Sequence, residues 1–147
     1  MFPFLALTLG AVFPTAHAAD SPLEHADDVR AVYQIHGDHW RDEVGIGLHY
    51  LRKAQLAYAS ELGVPRDHRQ LVAVLHGEAA YWLLNDAAWR RYREAGKGTP
   101  PEGISDRKNP NADVVEALIA DGARIEICSV TMARHGWTAS DLLPGVE

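Results

Sequence analysis

Three short runs along the chain have the pattern of β-strands: Arg30 to Ile35 (RAVYQI), Gln70 to Leu75 (QLVAVL) and Ala123 to Cys128 (ARIEIC). The second is apolar almost throughout, the composition of a strand covered on both faces. In the third, Ile125 and Ile127 alternate with Glu126 and Cys128, a period of two. Between the strands the apolar spacing changes to three and four. Val44, Leu48, Leu51, Gln55, Tyr58 and Leu62 fall on one face of a helix that Gly63 and Pro65 end. A second helix, Ala79 to about Glu94, puts Trp82 and Trp89 on one face as packing residues. A third, capped by Asn111, runs to Asp121 with Val114, Val115, Leu118 and Ile119 inward and Gly122 closing it. A short helical turn follows Cys128, capped by Ser129 or Thr131 and stopped at Gly136, and Thr138 to Asp141 has the spacing of a capping box.

Strands that alternate with helices predict an α/β fold: a mainly parallel sheet with helices on both faces, three layers in all. In a parallel sheet the carboxyl ends of the strands share one edge, where ligands bind. His36, Asp38 and His39, then His76 and Glu78, then Cys128 and Ser129 all fall on that rim. Asp38 reads as the N-cap of the first helix, with Asp42 and Glu43 in its first turn. Gly45 and Gly47 either allow close approach to a neighbour or mark a later helix start. Residues 95–110 are rich in Gly, Pro and charge, without apolar periodicity, and read as a long exposed loop, either a lid or a segment without fixed structure.

Composition narrows the classes of function. Residues 1–19 contain an apolar run, Phe4 to Phe13, then Pro14 and the small-x-small sequence Ala16-His17-Ala18, the form of a secretory signal peptide cleaved after Ala18 or Ala19. No cysteine follows that run to serve as a lipid anchor. The expected product is an exported, periplasmic single domain, residues 20–147, with no membrane association after cleavage. A net charge of −6 opposes binding to nucleic acid, which depends on neutralising phosphates.

The single cysteine excludes an internal disulfide. Placed where a strand gives way to a helix, Cys128 lies near unpaired backbone N–H groups that favour thiolate over thiol. His36 or His76 would steady that anion, and the sulfur would act as a nucleophile without any cofactor. Two alternatives stay open. His36, His76 and Cys128, with Asp38 or Glu78, are suitable Zn or Cu ligand types, although no HxH, CxxC or HExxH spacing is present. The domain would otherwise be a non-catalytic oligomeric module that holds a ligand or partner, with Cys128 a buried passenger. Ser129 lacks the Gly-x-Ser-x-Gly elbow and there is no phosphate-binding glycine loop, which disfavours hydrolase and nucleotide chemistry.

The order of elements, with the segments NPNADVVEALIAD (109–121), ARIEIC (123–128) and DLLPGV (141–146), resembles the DsrE/DsrF-like family of small α/β proteins, to which the DsrE and TusD sulfur-relay proteins belong. The resemblance runs from about Val32 onward and is most specific over the last forty residues. It implies that Cys128 carries a persulfide in a sulfurtransferase-like relay, and that the chain assembles as trimers or hexamers. Its partners would be a sulfur donor and acceptor, either proteins or small sulfur compounds. The sequence departs from the family in its exported N-terminus, in the longer loop 95–110, and in stopping at Glu147, short at the C-terminal edge of the sheet.

Overall fold

The structure, a computed structural model, describes residues 27–147. The expected leader lies outside the described residues. Three parallel strands, β1 (Val29–Ile35), β4 (Arg69–Leu75) and β5 (Arg124–Ile127), form a sheet in the order β1-β4-β5. A small antiparallel hairpin, β2 (Trp40–Arg41) and β3 (Val44–Gly45), follows β1. The helices are α1 (Ile46–Ser60), α2 (Asp86–Glu94), α3 (Ala112–Ala120) and α4 (Ser129–His135), and 3-10 turns cover Gly77–Leu83 and Ala139–Asp141. The capping box read at Thr138 is present, with Asp141 Oδ2 accepting from the Thr138 N–H at 2.9 Å. Among the described residues no helix is long and apolar enough to cross a membrane.

The mixed α/β class and the parallel sheet are as expected, but the third layer is not present among the described residues. The strand order gives the physical reason. β1 to β4 and β4 to β5 both step in the same direction, and right-handed crossovers then carry α1 and α3 to the same face. α1 packs on β1 and α3, and α3 packs on β5. Burial follows this arrangement. Val29, Ile35, Leu71, Ala73, Leu75, Ile125 and Ile127 are buried on the helix-covered face, each aliphatic side chain larger than alanine contributing about 1.5–3 kcal/mol. The residues between them point the other way: Val32, Gln34 and Gln70 are exposed, and Val72, Val74 and Glu126 only half-buried. The apolar run of β4 is therefore not covered twice.

Polar groups join the helices beneath the sheet. Gln55, buried on the inward face of α1, donates to the Leu118 carbonyl of α3 at 3.3 Å and accepts from Arg52, which also pairs with Asp121 at 2.6 Å. Asn111 begins α3 but does not cap it with its side chain. Its Oδ1 accepts from the Gly45 N–H at 2.7 Å, while buried Asn109 donates to the Trp82 and Leu84 carbonyls. The segment 109–111 thereby ties the hairpin to the 3-10 turn after β4.

The first helix starts later than the acidic residues suggested. Asp42 and Glu43 form the two-residue turn of the hairpin at φ 49° and 65°, and Gly45 stands at the N-cap position. The glycines serve close approach: a side chain at Gly45 would overlap the Trp82 indole, and one at Gly47 the Ile35 side chain. The second predicted helix is likewise split. Its first part is the 3-10 turn, and α2 starts afresh with Asn85 accepting from the Ala88 N–H at 3.0 Å. Trp82 and Trp89 are both fully buried, as packing residues, but they lie on separate elements rather than on one helix face.

A left-handed backbone costs a non-glycine residue roughly 1–2 kcal/mol, part of which glycine's greater unfolded-state entropy cancels. Glu43→Gly is expected to raise stability by about 0.5–1 kcal/mol, and Gly45→Ala to lower it by roughly 1–3 kcal/mol through overpacking on Trp82. Urea midpoints at unchanged slope are the measurement.

Candidate functional site

The parallel register decides what meets at the rim. Ile35 pairs with Leu75, and Leu75 with Ile127. The ladder extends one residue further, with His76 N–H donating to the Ile35 carbonyl at 3.1 Å and Cys128 N–H to the Leu75 carbonyl at 2.9 Å. His36, His76 and Cys128 therefore occupy one row, at the carboxyl ends of three adjacent strands about 4.8 Å apart. Because their predecessors Ile35, Leu75 and Ile127 face the helices, alternation turns this row toward the uncovered face. There Val32, Gln34, Val74, His76 and Cys128 line an open depression of about 440 Å³.

Cys128 is half-buried and is the N-cap residue of α4. Its thiol pKa is lowered, first by the Thr131 backbone N–H, then by the Thr131 hydroxyl and the Val130 N–H; slight burial works in the opposite direction and the charge of Arg134 adds a little. Thr131 is itself buried and accepts from the Gly77 N–H at 3.3 Å, which holds the first turn of α4 against the turn that follows His76. Neither imidazole is among the groups that lower the thiol pKa. His76 Nε2 is engaged by Gln34 Nε2 at 2.7 Å, and since an amide nitrogen only donates, the ring accepts there and carries its proton on Nδ1. The His36 ring lies edge-on to His76 with centroids 4.9 Å apart. Ser129 is exposed at the first position of α4.

The remaining rim residues belong elsewhere. Asp38, expected to cap α1, instead accepts from five donors: Trp40 Nε1 (2.7 Å), Tyr81 OH (2.7 Å), Trp82 Nε1 (3.3 Å), and the N–H and hydroxyl of Thr99 (2.6 and 2.7 Å). Burial alone would raise its pKa, but the hydrogen bonds from Tyr81, Thr99 and Trp40 more than offset this and hold it below the ordinary value. Burial, then the Asp38 carboxylate, pushes the Tyr81 phenol up. Thr99 belongs to the loop 95–110, which was open to reading as a segment without fixed structure. The loop is fastened along its length: Thr99 to Asp38, the Gly98 carbonyl to Arg93 at 2.6 Å, Asp106 to Arg93 at 2.8 Å, and the Ser105 carbonyl to Trp89 Nε1 at 3.0 Å. Asp38, His39 and Glu78 line a separate cavity of about 350 Å³ with Tyr81, Tyr92 and Lys97.

Asp38 and Glu78 line a different cavity from His76 and Cys128. Among the described residues, no group of three or more His, Cys, Asp or Glu is disposed to hold a metal ion.

Sequence reasoning missed Gln34, Val32 and Val74 at the depression, and saw Thr131 only as a cap. The signal for the first three was present: counting back by twos from His36 and His76 puts them on the same face. Comparison of the chain with family models, with curated proteins and with solved structures finds no match.

Removing the Thr131 hydroxyl withdraws a donor from the thiolate and raises the thiol pKa. Thr131→Val is expected to slow alkylation of Cys128 at pH 7 by about threefold to tenfold and to move the pH–rate profile to higher pH, read with iodoacetamide. Asp38 titrates lower folded than unfolded. The stability it adds is thus fully present above about pH 3.9 and lost as pH falls through its folded value. Asp38→Asn is expected to cost about 1–3 kcal/mol near neutral pH and to make stability less sensitive to acid, measured by urea unfolding across pH 3–7.

Proposed function

We propose that this chain is an exported sulfur carrier, similar to the DsrE/DsrF-like proteins, in which Cys128 alternates between thiolate and persulfide. The observation that carries the reading is the seating of the sulfur. It stands at the end of an edge strand of the sheet, at the N-cap position of α4 beside Val130 and Thr131, whose polar groups lower its pKa, on a face open to solvent. An inert structural cysteine needs none of these donors and is usually enclosed in hydrocarbon. The resemblance of segments 109–121, 123–128 and 141–146 supports the same reading independently of the site geometry.

In the accepting step, the Cys128 thiolate attacks the outer sulfur of a persulfide R–S–SH. A bond forms between Sγ and that sulfur, the S–S bond of the donor breaks, and its electron pair leaves on R–S⁻. The proton stays on the transferred sulfur, so no outside oxidant or reductant is needed. The hydroxyl and N–H donors that hold the thiolate lower its basicity while leaving it a competent nucleophile, the compromise a reversible carrier requires. His76 and Gln34 border the path of the incoming sulfur and present hydrogen-bonding groups to it.

Incubation of the reduced protein with a persulfide donor is expected to add about 32 Da, one sulfur atom, to Cys128, reversibly by reductant and not in Cys128→Ser. Intact mass followed by peptide mapping is the measurement. A native protein whose thiol resists iodoacetamide until denaturant is added would contradict the proposal.

A further inference from the structure

The depression around Cys128 has a composition that bears on what approaches the sulfur. Its walls are Val32 on β1 and Val74 on β4, and its polar groups are Gln34 and His76, which are bonded to each other. No Lys, Arg, Asp or Glu lines it. The nearest charges on the same face of β5, Arg124 and Glu126, neutralise each other in an ion pair at 2.6 Å. Val32 is 74% exposed, the largest exposure among the exposed large hydrophobic residues described. At about 440 Å³ the space is within the range of small-molecule sites.

Each feature disfavours an anionic visitor. A thiolate repels a second negative charge, and among the residues that line the depression no cation offsets that repulsion or the loss of hydration; Arg134, on α4 outside the lining, is the last of the influences felt at the sulfur. An apolar substituent instead covers the two valines and gains from leaving water. Resting on the reading of Cys128 as a sulfur acceptor, we propose that the depression selects persulfide donors by their substituent: uncharged, apolar R–S–SH over donors bearing carboxylate charge. The transfer itself is the same for both classes, with Sγ–S forming, the donor S–S breaking, and R–S⁻ departing. Only the fit of R differs.

Two persulfides that share this chemistry provide the test: a tertiary alkyl persulfide released in situ and glutathione persulfide. The rate of sulfur addition to Cys128 in the full chain is followed by intact mass and divided by the rate on a short cysteine peptide, which removes intrinsic reactivity. The expected preference for the alkyl donor is about tenfold. Val32→Lys, a change at an exposed position, places a cation in the lining and is expected to reduce that preference about fivefold by speeding the anionic donor. Equal normalised rates in the parent chain, or a preference that Val32→Lys leaves unchanged, overturn the inference while the carrier reading stands. Sulfur added from neither donor, with the thiol free to react with iodoacetamide, overturns both.

Discussion

The site depends on the parallel register of three strands. A parallel ladder leaves little freedom, since fixing Ile35 against Leu75 and Leu75 against Ile127 also fixes the residues that follow. A slip of one residue would turn the buried row of β4, Leu71, Ala73 and Leu75, toward water and Val72 and Val74 toward α1 and α3. That loss is on the order of several kcal/mol from burial alone. The packing that stabilises the core therefore also aligns His36, His76 and Cys128. No residue of the row needs a dedicated device to bring it there.

The same constraint explains why one face of the sheet is open. Ligands in doubly wound sheets bind where the strand order reverses and successive helices part to opposite faces. The order β1-β4-β5 does not reverse among the described residues, so no such crevice forms. The row of His36, His76 and Cys128 lies instead at the border between the rim and an uncovered face. The other half of the rim is closed by different means. Asp38 gathers two indoles, a phenol and Thr99, and fastens the loop 95–110 over aromatic side chains that would otherwise face solvent. A carboxylate so fully occupied has no lone pair to spare for chemistry. Its hydrogen bonds give it a structural role.

How much of this was legible in the sequence varies with the range of the interaction that decides it. The three strands and the inward faces of α1 and α3 were legible because alternation and the 3.6-residue repeat are local records of burial. The hairpin was not. Asp42-Glu43 carries none of the glycine or asparagine that marks a tight turn, and the acidic pair imitates the first turn of a helix. Asp38 imitated a cap for the same reason: its partners Tyr81, Trp82 and Thr99 are distant in sequence and no local rule reaches them. The continuous apolar run of β4 suggested two covered faces, but strand order, a property of the whole chain, decides on which faces the helices lie. At the site, the row of His36, His76 and Cys128 could be read from the strand ends. The hydroxyl of Thr131 could not be assigned to the sulfur until the turn of α4 was fixed against Gly77.

Stabilising a thiolate with dipoles has a consequence that an ion pair would not have. A charged imidazole beside the sulfur would tie the thiolate to a group that itself titrates near neutral pH, and the two would gain and lose protons together. The Thr131 and Val130 N–H groups do not titrate, and the hydroxyl keeps its proton throughout. Beside them, the Nε2 of His76 is engaged by Gln34 rather than by the sulfur. A thiolate seated in this way persists down to the sulfur's own pKa, and the backbone around it is already fixed by the packing of β5 and α4.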